Sequence, residues 1–407
     1  MSIGLVGWAP TFRSFRIILQ TAPNTPRAIA VEPAISFTNI ADWTEQKNVI
    51  RKNLEQSVYG QYPHEVSLKP VKMFTIGDGR FGQNGLLDII QFDILNNEND
   101  KKHSLNVVIV RPANVDGPVP IILTQNFCPT HNIVQIKGVP VPDNIGFSCV
   151  GSGIRSKLML FIFGRYIVSP PIEDILNEGF ALAISYPPEF IPDQSHLGQT
   201  VLDNFFSNYS EENRPGALIS WAMLNVELAN FIDQREQFSD TITWGHSRYG
   251  KTALLAAAYS DQIDGVISHQ SGTGGASLFR NNAGETFEDI YTLYPHWFGK
   301  NAKNYASNED SLPLDQHALL ALIAPRPLLL GNARRDVWSD PEGAFRAAKA
   351  INGAYELYGV TGMTATRLDQ FIPKDSLAFW IRSGTHGVIK EDWPAFLSFL
   401  VFHFKTQ

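Results

Sequence analysis

The sequence predicts an α/β fold in which a mainly parallel central sheet carries helices on both faces, a three-layer sandwich with long loop insertions. Short apolar runs of strand length alternate with segments that have the apolar spacing of helices, which is typical of a covered parallel sheet. Hydrophobic residues make up 44% of the 407 positions and charged residues 18%, enough for one large core. No repeat or low-complexity linker divides the chain. We therefore predict a single domain over residues 41–407, preceded by a leader over residues 1–40 that need not be ordered.

The predicted elements follow one another along this domain. Strands are predicted at residues 105–110 and 119–123, as neighbours, and then at 180–184, 241–244, 265–269, 327–331 and 377–382. Helices are predicted at residues 172–178, 216–232, 249–259, 317–323, 341–351 and 392–404. Three stretches with weak periodicity, at about 128–168, 194–213 and 279–312, are interpreted as insertions above the sheet edge.

Charge and composition exclude several classes of function. The net charge of −7 gives no general attraction for nucleic acid. No run of 18 apolar residues is free of charges, so no membrane span is expected. Cys128 and Cys149 allow at most one disulfide, and the ten histidines do not cluster at ligand spacing, so no metal site is expected. Arg13 and Arg16 interrupt the apolar runs near the start, which is a poor match to a signal peptide.

The strongest candidate for chemistry is a serine at a strand-to-helix turn. In residues 241–251, a run rich in β-branched residues ends at Gly245, and Ser247 precedes Gly250 and an alanine-rich helix. Ligands of open α/β sheets bind at the carboxyl ends of the strands, where a sharp turn can expose a nucleophilic hydroxyl. The Gly-x-Ser-x-x-Gly spacing is one residue longer than the usual pattern, and a serine that caps an ordinary helix is the alternative. The context of the segment favours catalysis.

A serine nucleophile needs a base, and the base needs an orienting acid. His386 follows the last predicted strand between two glycines, which makes it the candidate base. Asp336 follows the strand at 327–331 and is the candidate acid; Asp340 is the nearby alternative, although its place before a proline also fits a helix start. The chain order Ser247, Asp336, His386 is that of α/β-hydrolases and predicts a serine ester hydrolase of that fold.

Over about residues 43–404 the chain resembles carbohydrate esterase family 15, the glucuronoyl esterases. The family's nucleophile motif, Gly-Cys-Ser-Arg-x-Gly-Lys, is similar to residues 245–251. Further similar blocks lie at residues 43–63, 126–131, 271–276, 284–285, 295–298 and 315–326. The resemblance implies cleavage of esters of glucuronic or 4-O-methylglucuronic acid, of the kind that joins lignin alcohols to glucuronoxylan, without a metal or an organic cofactor.

The matching blocks also imply individual roles. The implied roles are nucleophile for Ser247, base for His386, oxyanion binding for Arg248, and contacts with the sugar for Lys251, Glu285 and Trp338. Oxyanion donors and a few placed polar and aromatic groups are what such a reaction requires. The structural alternatives are a solvated helix face for Arg248 and Lys251, and ordinary packing for Trp338 and Trp297.

Two departures from the family pattern leave alternatives open. Many relatives have a glutamate as the acid where this chain has Gln270, so we assign the acid to Asp336, as in some bacterial relatives. His246 stands where fungal members have a disulfide-forming cysteine. A non-catalytic or weakly active sugar-binding relative, or an esterase for a different sugar ester, are therefore kept as hypotheses. The expected partner is a carbohydrate ester, bound by a monomer, and such a substrate implies a secreted or periplasmic location although no clear signal peptide is seen.

Overall fold

A computed structural model gives the structure of the chain and describes residues 20–36, 38–77, 85–113, 115–142 and 164–405. Three sequence-based predictions lie wholly or partly outside these ranges. They are the first 19 residues of the leader, the pairing of Cys149, and residues 143–163 of the first insertion.

Within the described residues, nine strands form one sheet in the order β1-β2-β3-β5-β4-β6-β7-β8-β9. The strands are β1 Val66–Gly77, β2 Gly85–Asn96, β3 Lys101–Pro112, β4 Val119–Gln125, β5 Ala181–Ser185, β6 Phe238–His246, β7 Gly265–His269, β8 Leu328–Ala333 and β9 Leu377–Arg382. The first three strands are antiparallel, and β3 also pairs antiparallel with β5. From β5 to β9 all neighbours are parallel, which confirms the mainly parallel sheet.

One predicted pairing is wrong. The strands predicted at 105–110 and 119–123 exist as β3 and β4, but β5 lies between them and pairs with both. The sequence pattern also failed to predict β1 and β2, which extend the sheet at its antiparallel end. Apolar runs that are buried on both faces carry no signal for which strand lies beside which, because every order would bury them equally well.

Helices cover both faces of this sheet. The α-helices of the described residues are α1 Ile40–Leu54, α2 Thr130–Ile133, α3 Ile172–Asn177, α4 Ser195–Phe205, α5 Ala217–Asp233, α6 Arg248–Tyr259, α7 Phe287–Leu293, α8 Lys303–Ala306, α9 Gln316–Ala321, α10 Pro341–Ala350, α11 Asn352–Glu356 and α12 Asp392–Phe404. All six predicted helices are confirmed to within two residues at each end. None of the described helices has both the length and the apolar character that crossing a membrane requires.

The hydrophobic core is divided by the sheet into two clusters. Alternate side chains of β4 face opposite sides: Ile121 packs in the cluster that contains Trp221 of α5, and Ile122 packs in the cluster that contains Phe396 of α12. This alternation is the consequence of the two-residue period of a strand. The helices on either face therefore complete a three-layer α/β sandwich, as predicted.

Part of the predicted leader lies against the C-terminal half of the domain. The backbone of Ala22 exchanges hydrogen bonds with Arg334, and Arg27 forms an ion pair of 2.5 Å with Glu342 of α10. The Pro33 carbonyl lies 2.8 Å from Nε2 of His317. These contacts attach residues 22–33 to the folded body ahead of α1.

Strands β6 to β9 place the candidate site. They are parallel neighbours, so their carboxyl ends meet at one edge of the sheet. Ser247 follows β6, Gln270 follows β7, Asp336 lies in the loop after β8, and His386 lies in the loop after β9.

Candidate active site

Ser247 occupies a strained turn between β6 and α6. Its backbone has φ +56° and ψ −123°, a conformation that non-glycine residues seldom adopt. Its N–H donates to the carbonyl of His269 on the neighbouring strand at 2.8 Å, which helps to hold the turn. A Cβ atom at Gly245 would lie 1.9 Å from the Tyr249 carbonyl oxygen, so only glycine fits there. The longer spacing noted in the sequence thus still forms the sharp strand-to-helix turn of a nucleophile.

The candidate base and acid are in direct contact. Nδ1 of His386 lies 2.8 Å from Oδ2 of Asp336, and the carboxylate is almost completely buried. Burial alone would raise the pKa of Asp336, but its electrostatic interaction with His386 and the hydrogen bonds from His386 and Ser339 outweigh burial, so the pKa lies below its ordinary value. Asp340 instead accepts a hydrogen bond from the Gly343 backbone at the start of α10, as an N-cap does.

His386 lies beside the nucleophile turn. Its ring centroid is 4.6 Å from that of His246, the residue before Ser247. Among the described residues, the hydrogen bonds of the His386 ring are both made by Nδ1, to Asp336 and Ser339, which leaves Nε2 for another partner. No hydrogen bond joins Ser247 to His386 within the described part of the chain; in free enzymes such bonds are often long and tighten with substrate.

Gln270 holds the loop that carries His386. Its Oε1 accepts a hydrogen bond from the Gly387 backbone N–H at 2.8 Å, and its Nε2 donates to the Thr385 carbonyl at 3.5 Å. The side chain is buried, and its own backbone is anchored by a bond of 2.7 Å from its N–H to the Gly331 carbonyl. The amide that replaces the family's glutamate therefore contacts the backbone on both sides of His386.

A buried polar cluster lies behind the nucleophile turn. Nδ1 of His246 is 3.2 Å from Nδ1 of His269, whose Nε2 is 3.4 Å from the carboxylate of Asp392. Nε of Arg382 donates to both oxygens of Asp392, and its Nη2 donates to carbonyls on either side of His386. Burial, with the charges of its neighbours, lowers the pKa of His246 well below its ordinary value, so this ring is neutral. The cluster thus packs against the His386 ring through His246 and holds the backbone on both sides of His386 through Arg382.

Arg248 lies in an aromatic and acidic pocket. Its guanidinium carbon is 5.6 Å, 5.3 Å and 4.7 Å from the ring centroids of Phe127, Tyr294 and Trp297. Its Nη1 donates a hydrogen bond to Oδ2 of Asp193. Oδ1 of the same aspartate accepts a hydrogen bond of 2.8 Å from Nε1 of Trp297. Nε of Arg248 is buried and has no hydrogen-bond acceptor among the described residues. The solvated-face alternative therefore does not hold for Arg248.

Lys251, Glu285 and Trp338 lie together near this edge. Lys251 is 3% exposed, and its Nζ donates to the carbonyls of Ser271 and Thr273, so it too is not on a solvated helix face. The side chain of Trp338 hydrogen-bonds the carboxylate of Glu285, and the Glu285 N–H donates to the Trp338 carbonyl at 2.9 Å. Burial raises the pKa of Glu285 and lowers that of Lys251, while each charge favours the other.

Sequence reasoning missed Asp193, Tyr294 and Ser339, which contact Arg248 or His386. The motif of residues 295–298 offered a signal for the neighbourhood of Tyr294, whereas Asp193 carries none, because a single aspartate before an insertion resembles any loop residue. Among the described residues, no group of three or more histidine, cysteine, aspartate and glutamate side chains is arranged to hold a metal ion.

The fold and this edge of the sheet define the class of protein as an α/β-hydrolase. Comparison with known proteins then places the chain within that class. A family model for fungal glucuronyl esterases matches residues 167–359. The carbohydrate esterase MZ0003 of an unknown prokaryotic organism is 28% identical over 392 residues, which cover 93% of this chain and 89% of that protein.

Solved structures agree with these sequence relatives. A glucuronoyl esterase from Solibacter usitatus has a TM-score of 0.76 and 27% identity, covering 95% of this chain and 99% of its own. A promiscuous family 15 esterase from the marine bacterial metagenome has a TM-score of 0.74 and 26% identity, with coverage of 95% and 99%. Over nearly its whole length the chain is similar to carbohydrate esterases of family 15, the glucuronoyl esterases, and it is a carboxylic ester hydrolase.

Proposed function

We propose that this esterase is a serine enzyme that cleaves glucuronoyl or 4-O-methylglucuronoyl esters, of the type that joins lignin to glucuronoxylan, through an acyl-enzyme. The contact of 2.8 Å between His386 and Asp336, beside a serine held at φ +56°, is the observation that carries the proposal. The three side chains follow separate strands that end at the same edge of the sheet. Relatives named for glucuronoyl ester hydrolysis support the substrate class.

The reaction would proceed in two halves. The Ser247 oxygen attacks the ester carbonyl as Nε2 of His386 takes its proton, while Asp336 stabilises the imidazolium through Nδ1. The imidazolium then gives this proton to the alcohol oxygen as the carbon–oxygen bond breaks, which leaves the uronoyl group on Ser247. His386 next takes a proton from water, the hydroxide attacks the acyl group, and the uronic acid leaves as Ser247 is reprotonated.

The oxyanion of each half-reaction would be bound at the start of α6. The first N–H groups of a helix lack intrahelical acceptors, so the Arg248 backbone N–H is a suitable donor. Its side-chain Nε–H is a second donor, since it is buried without an acceptor in the described part of the chain. A fixed donor aimed at the developing charge contributes about 3 kcal/mol to transition-state binding.

The sugar would be bound by the polar and aromatic groups next to this edge. The Glu285 carboxylate and the Lys251 ammonium form an acceptor and a donor for ring hydroxyls, and the partly exposed Trp338 offers an indole face. Burial raises the pKa of Glu285, so its charged form is lost at a higher pH than that of an ordinary glutamate. Sugar binding should weaken as the solution becomes mildly acidic.

A wider ester specificity is the second candidate. The family 15 relative from the marine metagenome is described as promiscuous, and in this chain the ring of His246 lies against His386 where fungal members have a cysteine. His246 is buried, so its ring acts on the site through its contact with His386. Such an enzyme would use the same serine for esters of other sugars.

Hydrolysis of benzyl glucuronate and of a simple acetyl ester by wild type and Ser247→Ala tests the proposal. Wild type should cleave the glucuronate ester, and Ser247→Ala should lower kcat/KM by about four orders of magnitude or more. Ser398→Ala, which changes an exposed serine of α12, is the matched control and should be unaffected. Cleavage of the acetyl ester alone would favour the second candidate, and cleavage of neither would favour a sugar-binding protein without catalysis.

A further inference from the structure

The pairing of Arg248 with Asp193 changes what the oxyanion pocket can bind. Asp193 lies just before α4, outside the motif of the nucleophile, and its carboxylate accepts a hydrogen bond from the guanidinium. Both side chains are largely buried, at 20% and 17% exposure. The carboxylate is itself fixed, because Trp297 donates to it at 2.8 Å and Nε2 of His296 lies 3.5 Å away.

In this arrangement the Arg248–Asp193 pair offers hydrogen-bond donors but carries no net charge. Burial would raise the pKa of Asp193, but the Arg248 guanidinium and the hydrogen bonds of His296 and Trp297 lower it to about 2, so the carboxylate is ionised throughout the working range. A free guanidinium would hold a carboxylate through two parallel charge-assisted hydrogen bonds. Here Nη1 of the guanidinium is already paired with Asp193, whose charge compensates that of Arg248, and Nε is a buried donor without an acceptor among the described residues.

The substrate and the product of the proposed reaction differ in charge at this place. The ester carbonyl is neutral and becomes negative only in the transition state, whereas the released uronate carries a full negative charge. Asp336 and Glu285 both interact electrostatically with Lys251, so the charge of that ammonium is compensated as well. A pocket that is locally neutral would stabilise the transient oxyanion through oriented donors and would not retain the anionic product.

We propose that Asp193 is a positioning residue that fixes Arg248 as an oxyanion donor and cancels its charge, so that the site discriminates against the uronate product. This inference rests on the proposed function, since it assumes that a uronic acid is released. Asp193 lies outside every segment that resembles the family, and this inference gives it a part in product release. The inference also predicts that the product inhibits the enzyme only weakly.

Equilibrium binding of two ligands that differ only in charge tests the inference. Glucuronate and its neutral isostere glucuronamide are titrated calorimetrically into wild type and Asp193→Asn. In the variant, glucuronate should bind at least about tenfold more tightly than in wild type, because the guanidinium charge is no longer compensated. Glucuronamide should bind with unchanged affinity. Asp203→Asn, which changes a half-exposed aspartate of α4 that pairs with Arg214, is the matched control and should change the affinity for neither ligand.

The two ligands distinguish charge compensation by Asp193 from a merely structural role. A structural role would weaken the binding of both ligands together, and this result, or equal or absent glucuronate binding in variant and wild type, would overturn the inference. If Asp193→Asn does not fold, the wild type alone decides: glucuronate should bind no more tightly than glucuronamide, and a preference of more than about tenfold for glucuronate refutes it. Failure of wild type to cleave benzyl glucuronate would refute the proposed function instead, and the binding ratio would still be measurable.

Discussion

Replacement of Asp336 by asparagine removes the charge on which the proposed base depends. The carboxylate is 3% exposed and lies 2.8 Å from Nδ1 of His386, so solvent screens the pair little on that side. At a separation near 3 Å and an effective dielectric constant of about 20, the attraction to the imidazolium is roughly 5–6 kcal/mol. An amide oxygen can still accept a hydrogen bond, and the His386 side chain is 20% exposed, so about 4 kcal/mol of transition-state stabilisation should be lost.

This loss corresponds to a decrease of about a thousandfold in kcat. The assay is steady-state hydrolysis of benzyl glucuronate, with thermal unfolding to show that the variant is folded. Asp340→Asn is the control, since Asp340 caps α10 and asparagine caps a helix equally well. The reasoning is refuted if Asp336→Asn keeps more than about a tenth of the wild-type kcat, or if Asp340→Asn loses as much activity as Asp336→Asn.

Three further predictions concern the turn, the loop and a buried acid. Gly245→Ala should prevent stable folding, because its Cβ would lie 1.9 Å from a helix carbonyl oxygen. Gly77→Ala is the control and should fold, because the nearest atom to its Cβ would be 3.9 Å away. Far-ultraviolet circular dichroism compares the two variants. Gln270→Ala should lower the free energy of unfolding by about 1–3 kcal/mol in urea titrations, since the Gly387 N–H loses its acceptor, and should reduce kcat less than Asp336→Asn. Burial raises the pKa of Glu189 to about 7 from 4.5, so wild type should lose stability as the pH rises between these values. The increase in the free energy of unfolding caused by Glu189→Gln should therefore grow over this pH range and stay constant above it. An increase that does not depend on pH would contradict the assignment.

Much of the fold could be predicted because its elements have local signatures. The strand at Leu377–Arg382 and the helix at Asp392–Phe404 were predicted with the bounds that the structure has, since each is a strongly apolar run between polar or turn residues. The order of β3, β5 and β4 could not be predicted, because it depends on long-range pairing between strands that are all buried on both faces. Local pattern determines what an element is, whereas its neighbours are set by the whole chain.

The same difference between local pattern and long-range contacts decides which residues of the site could be predicted. Ser247, Asp336 and His386 could be proposed because each follows a recognisable strand, and strand ends at one edge must converge. Asp193 and Ser339 could not, because their contacts with Arg248 and His386 arise from loops whose path no periodicity encodes. The three candidate catalytic side chains lie at recognisable strand ends, whereas Asp193 and Ser339 lie in loop positions that carry no motif.

The acid proposed for this chain, Asp336, fits the geometry of three neighbouring strands. The loop of His386 follows β9, and residues after both β7 and β8 reach it: Gln270 contacts its backbone, and Asp336 contacts its ring. Because Asp336 already contacts the ring, no carboxylate is needed at position 270, and Gln270 holds the backbone of the loop instead. An amide suits that task better than a carboxylate, since holding this loop requires one acceptor for an N–H and one donor for a carbonyl. Gln270 is therefore consistent with catalysis through Asp336 and does not by itself indicate a loss of activity.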